Sequence, residues 1–165
     1  MKQTILALAL ALGLAACSGG ESTPAANTAA EQAALSTGNA ADIKNDLNVL
    51  NELMNPFNTA SMNDREEVQT LTDEAAIQAK MTDVKKRSEQ FKDELFNLGM
   101  KSKEVNEVRV LVMDGMMRST EALSIMLNPN KTDADLKEMQ RLQKQSMALQ
   151  QSVGQKLDDL NTQYQ

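Results

Sequence analysis

Met113, Met116 and Met117 form the densest group of donor side chains in this sequence, within the run Met113-Asp114-Gly115-Met116-Met117. Clustered thioethers favour Cu(I), and an i, i+3, i+4 spacing directs such side chains toward one side of a helix. The sequence has no histidine and no second Met-x-x-Met run to complete a metal site. Methionines at helical spacing more often fill cores, so packing is the expected role of the trio, with Cu(I) at Met113, Met116 and Met117 as the alternative. The lack of histidine also removes the commonest general base and the Ser-His-Asp, Cys-His and H-E-x-x-H arrangements. Glu66-Glu67 and Asp158-Asp159 are adjacent carboxylates, but neighbours on a helix point about 100° apart and read as a solvated face. There is no Walker-type or G-x-G-x-x-G loop. The expectation is therefore a protein with no catalytic residues and no cofactor other than a covalent lipid.

That lipid would sit on Cys17, the single cysteine. Lys2 gives a positive start, Ile5 to Leu14 a short apolar run, and Ala15-Ala16 the small residues that a signal peptidase needs before its cut. A membrane span needs about 20 apolar residues, and Cys17-Ser18-Gly19-Gly20 interrupts this run well before that. Leu14-Ala15-Ala16-Cys17 resembles the lipobox of bacterial lipoproteins. The resemblance implies cleavage before Cys17, a diacylglycerol on its thiol and acylation of the new amine. With Ser18 following the cysteine, it further implies sorting to the outer membrane of a two-membrane cell, on the periplasmic side.

Residues 18–40 are rich in Ala, Ser, Thr, Gly and Asn, and Leu35 is their single large apolar residue. Such a segment cannot bury enough surface to offset the entropy of ordering. It reads as a tether with an r.m.s. span of roughly 26 Å. The expected division is a signal peptide over 1–16, lipidated cysteine and tether over 17–40, and a folded domain over 41–165.

Within that domain the apolar residues take helical steps. Ile43, Leu47, Leu50, Met54 and Phe57 mark a short first helix, which Pro56 ends or kinks. Should 58–72 also be helical, the first helix becomes a long arm. A second helix, starting after Asn63 or at Thr72-Asp73-Glu74, carries Val84, Ser88, Phe91, Leu95 and Leu98 and stops at Gly99 as its C′ residue. Ser102 caps a third, with Val105, Val108, Val112, Met116, Ser119, Leu123 and Met126 on one face. Thr132 and Asp135 form a capping-box-like start to a fourth, through Leu136, Met139, Met147, Val153, Leu157, Leu160 and Tyr164. The short connections at 99–102 and 128–131 make successive helices antiparallel. The fold class is all-α, an up-down antiparallel bundle of about four helices with coiled-coil-like packing.

The third helix has more apolar surface than one stripe needs, because Val110, Met113 and Met117 lie in a second row. Either it is central and touches two neighbours, or Val110, Met113 and Met117 form a partner-binding surface. Without Lys2 the 17 basic residues become 16 against 23 acidic, a balance of −7, which excludes nucleic acid as a partner. Acidic residues gather at 64–74, where only Arg65 opposes them. Leu71-Thr72-Asp73-Glu74-Ala75 is similar to the Leu-Thr-x-x-Gln motifs of helical periplasmic chaperones, with Ala75 in place of the glutamine. The reading is a lipid-anchored envelope protein that acts non-enzymatically through a protein partner, as an adaptor, chaperone-like or structural element. The alternative is a bundle that binds a small ligand or copper in its Met-rich core.

Overall fold

The computed structural model describes residues 34–164. The expected signal peptide over 1–16, the expected lipidation site Cys17 and most of the expected tether lie outside the described residues. The described chain forms four helices: α1 (Ala40–Thr70), α2 (Glu74–Asn97), α3 (Lys103–Leu127) and α4 (Asp133–Tyr164). They run up and down, so the start of α1, the end of α2, the start of α3 and the end of α4 share one end of the bundle. Contacts at Asp46–Ser102, Arg109–Leu95 and Glu107–Lys156 fix that arrangement. α3 is central: it packs on all three other helices, most extensively on α4.

The first helix is not short. α1 runs for 31 residues straight through Pro56 and includes 58–70. Proline removes one amide from the ladder, but the inner face of α1 is buried on both sides of it. Met54 and Phe57 flank Pro56 in the core, and Phe57 stacks on Phe91 with ring centroids 4.0 Å apart. The stripe continues through Ser61, Asp64 and Val68 at the same steps. An acid at Asp64 disguises it, yet Asp64 is buried and paired with Lys80 (3.1 Å) and Arg87 of α2. The acidic stretch is thus partly internal, and Glu67 pairs with Lys80 as well. The Lys80 ammonium is held above its ordinary range by Glu67 first and by Asp64.

Several helix ends are closed by a particular side chain. The Asn39 carboxamide accepts from the Ala41 amide at the start of α1, and Asp73 accepts from the Ala76 amide (2.8 Å) at the start of α2. Gly99 does not end α2 in a left-handed turn, since Gly38 alone among the described glycines has positive φ. Instead the buried Arg109 guanidinium, reaching across from α3, donates to the carbonyls of Leu95 (3.0 Å), Phe96 (3.1 Å) and Leu98 (2.9 Å). These are the orphan acceptors of a helix C-terminus, where a cation also meets the favourable end of the dipole. Ser102 occupies the N-cap position of α3 but spends its hydroxyl elsewhere. At α4 the capping box forms as expected. The Thr132 amide and hydroxyl donate to Asp135 (2.7 and 2.8 Å), and the Asp135 amide donates back to the Thr132 hydroxyl. Those donors, the amide first, hold the Asp135 carboxyl below its ordinary range. The cap's contribution is therefore complete above the ordinary carboxylate pKa and is lost as pH falls through the lowered value.

The last residues assigned to the tether are fastened to the fold. Ser36 pairs with the α2–α3 turn in a parallel bridge, its amide donating to the Lys101 carbonyl (2.8 Å) and its carbonyl accepting from the Lys103 amide (2.9 Å). Gly38, at φ +69°, donates its amide to Glu104 (2.7 Å). Beneath this strap, Asp46 of α1 is 1% exposed, and one of its oxygens accepts from the Lys101 amide (2.8 Å), the Ser102 amide (2.7 Å) and the Ser102 hydroxyl (2.8 Å).

The core is built in blocks. The block nearest the strap unites all four helices around Leu47, Leu50, Leu95, Val108 and Val153. Farther out, Val68, Met81, Val84 and Leu123 join α1, α2 and α3, while Ala122, Met139 and Leu142 join α3 to α4. On every helix a polar residue separates the blocks: Asp64 on α1, Ser88 on α2, Ser119 on α3 and Ser146 on α4. Ser119 and Ser146 share a hydrogen bond of 2.7 Å.

Two expectations follow. Asp46→Ala removes a charged acceptor from two buried amides and a hydroxyl and should cost about 3 kcal/mol in chemical denaturation; a loss below about 0.5 kcal/mol would mean that the strap end holds without it. Val108 is fully buried whereas Val112 is half-buried beside a cleft. Val108→Asp should therefore cost about 4 kcal/mol, and Val112→Asp less than half of that, by the same measurement.

Candidate functional site

α3 presents its methionines in two directions. Met113 (7% exposed) and Met116 (5%) are packed into the main core block, whereas Met117 is 46% exposed. The three thioethers do not share one surface. The proposed partner-binding row divides in the same way: Met113 is internal, Val110 is half-buried, and Met117 stands out on the surface. Among the described residues no group of three or more His, Cys, Asp or Glu side chains is placed to hold a metal ion. Glu66, Glu67, Asp158 and Asp159 are all exposed.

Beside Met117 lies a polar seam between α3 and α4. Arg118 pairs with Asp114 (3.1 Å) and donates to the Gln145 amide oxygen (2.7 Å). Arg141 donates to that same oxygen (2.7 Å) and pairs with Glu138. Glu138 holds Arg141 above its ordinary range, and Arg141 holds Glu138 below its own. The seam aligns two helices and leaves no acid and base facing a common point.

One turn inward, Gly115 tolerates the approach of α4 without requiring glycine. Its carbonyl accepts from the Ser146 hydroxyl (3.2 Å), and a Cβ at this position would meet the Leu149 Cβ at 3.7 Å, an ordinary contact. Gly115 instead lines a cleft in the middle of the bundle. The cleft's floor is Met54, Met116 and the stacked Phe57 and Phe91; Val112 and Val153 form its walls, and Asn58 and Gln150 stand at its rim. It encloses about 50 Å³, against the 300–1,000 Å³ typical of preformed ligand pockets. No lining residue is ionisable.

Sequence reasoning did not anticipate Asp46, Arg109, Ser146 or the cleft. Asp46 carries a legible signal, because it lies three residues after Ile43 and four before Leu50, on the buried side of α1. Arg109 lies four residues after Val105 on α3 in the same way. In both cases charge outweighed position.

If the methionines act as packing, changing Met113, Met116 and Met117 to Leu should cost under about 1.5 kcal/mol for each buried site and nothing at Met117. A Cu(I) titration should then give the same negligible affinity for parent and variant. Tight stoichiometric Cu(I) binding by the parent that disappears in the variant would make the trio a metal site.

No curated protein and no solved structure matches the chain. Residues 44–165 match a family model described as uncharacterised lipoprotein PM1805, a span that starts in the first turns of α1 and takes in the rest of the bundle. The matched span lies wholly outside the lipobox-like segment, so the helical domain points independently to the class that the N-terminus resembles. The chain belongs to this lipoprotein family.

Proposed function

We propose that this lipoprotein is held by lipid on Cys17 to the periplasmic face of the outer membrane and acts there without catalysis, through contacts with another protein. It serves as an adaptor, chaperone-like or structural element. The observation that carries this reading is the use made of the buried polar groups. Asp46, Asp64, Arg109 and Ser146 each hold one helix to another, and none faces the mid-bundle cleft. No described helix is long and apolar enough to cross a membrane, which supports anchoring by lipid.

The strap gives the anchored protein a direction. The first described residues lie at the end of the bundle where Ser36 pairs with the α2–α3 turn. The turns at 71–73 and 128–132 lie at the opposite end, about 46 Å away along the 31 residues of α1. That end, together with the exposed Met117, is the part of the molecule best placed to meet a partner away from the lipid surface.

Cys17→Ser should leave the protein unlipidated, in the soluble or precursor fraction; the variant found in the outer membrane at normal mature mass would refute the anchor. Photo-crosslinkers at Met117, Thr72 and Asn130 in cells should capture one discrete partner, while one at Lys101 should not. Absence of any adduct at all three positions would refute action through a protein partner.

A further inference from the structure

We infer that the mid-bundle cleft is a binding site for a small neutral molecule, flat and apolar over most of its body with one hydrogen-bonding end, admitted when the bundle bends at Pro56, Gly115 and Gly154. This goes beyond a role in protein contacts and does not depend on it.

The lining sets the chemistry. Phe57 and Phe91 present a stacked aromatic pair, flanked by the thioethers of Met54 and Met116. Methionine reshapes readily around irregular apolar groups and makes favourable contacts with rings. No ionisable side chain lines the space, so a charged ligand would be desolvated there without compensation. The polar content is two carboxamides at the rim. Asn58 and Gln150 are half-buried, and neither makes a hydrogen bond to another described residue. Both side-chain amides lie at the solvent-facing rim, and each offers both a donor and an acceptor. Two such amides beside an apolar floor match a ligand with a single hydroxyl, carbonyl or N–H at one end.

At about 50 Å³ the cleft is too small for such a molecule as it stands, so it must widen. The means are built in at the same level of the bundle. Pro56, which breaks the hydrogen-bond ladder of α1, adjoins Phe57; Gly115 lines the cleft itself; Gly154 adjoins Val153. Neither glycine is demanded by packing, since a Cβ at 115 makes only the ordinary contact with Leu149 and one at 154 meets nothing within 4 Å. Glycine in a helix interior weakens it. The polar residues Asp64, Ser88, Ser119 and Ser146 adjoin this level and already divide the core into blocks. Bending here therefore opens the main block at its outer edge, among Met54, Phe57, Phe91, Met116 and Val153.

The test uses 2-naphthol, a flat, neutral aromatic fluorophore with one hydroxyl at its edge, titrated into residues 17–165 carrying Cys17→Ser so that no lipid competes. Saturable one-to-one binding is expected. Val112→Phe, which fills the cleft wall, should weaken it about tenfold. Gly115→Ala with Gly154→Ala should raise the melting midpoint by about 3 °C per site and slow probe entry several-fold. Failure to saturate, or an unchanged affinity in a folded Val112→Phe variant, overturns the site. Should Val112→Phe not fold, Asn58→Leu with Gln150→Leu decides the matter: weaker binding supports the site and unchanged affinity overturns it. Probe entry at the parent rate in the stiffened double-alanine variant overturns the bending.

Discussion

One carboxylate oxygen of Asp46 gathers two backbone amides and a hydroxyl from the turn between α2 and α3. Without it that turn would bury two donors with no acceptor, which costs far more than an average hydrogen bond is worth. With it, the start of α1 is fixed to the junction of the next two helices. The strap at Ser36 and Gly38 then lies over a turn that is already rigid, and Glu104 accepts from Gly38 beside it. Arg109 closes the same junction from below by taking up the last carbonyls of α2. The first, second and third helices thus meet at a polar joint, and the largest core block is assembled directly above it.

The character of the molecule changes along its length from that joint. Near the strap all four helices contribute to one block. Beyond the level of Ser119 and Ser146, α4 packs on α3 through Ala122, Met139 and Leu142 and through the Arg118–Gln145 seam. On the other side α1 and α2 depend on the Asp64 pairings and on the small block around Val68 and Val84. Large aromatic anchors are scarce, and the one stacked pair lies where the blocks divide. Methionine-rich packing and helix-weakening residues coincide there. A bundle so built has one block shared by all four helices at its strap end and smaller, separate blocks farther out.

The buried charges are internal fasteners. Asp46 and Arg109 serve the strap end, while Asp64 with Lys80 and Arg87 serves the first hairpin. Removing Asp46 or Arg109 would leave amides or carbonyls without their partner, whereas removing Asp64 would leave Lys80 and Arg87 without their counter-charge. Other acids, among them Glu66, Asp158 and Asp159, are exposed, and the sequence as a whole carries a formal net charge of −6.

By itself the sequence determined that there are four helical segments and where the short connections at 99–102 and 128–131 fall, but not how far the first helix runs. The steps through Leu47, Leu50 and Met54, or through Val105 and Val108, require one buried face, and the Thr132–Asp135 box needs only neighbours in the chain to form. The lipobox-like run is local as well. What tertiary structure alone decided is whatever depends on a partner far along the chain. Asp46 is buried because Ser102 waits 56 residues away, Asp64 because Arg87 lies 23 residues on, and Arg109 because the Leu95 carbonyl lies 14 residues before it. Hydropathy counts each as a surface residue, since burying a charge is unfavourable until that distant partner is in place. The same holds for Pro56, which ends a helix in isolation but is carried through here by Met54 and Phe57 packing on either side of it. It holds for the cleft too, whose lining comes from all four helices and exists only once they are assembled.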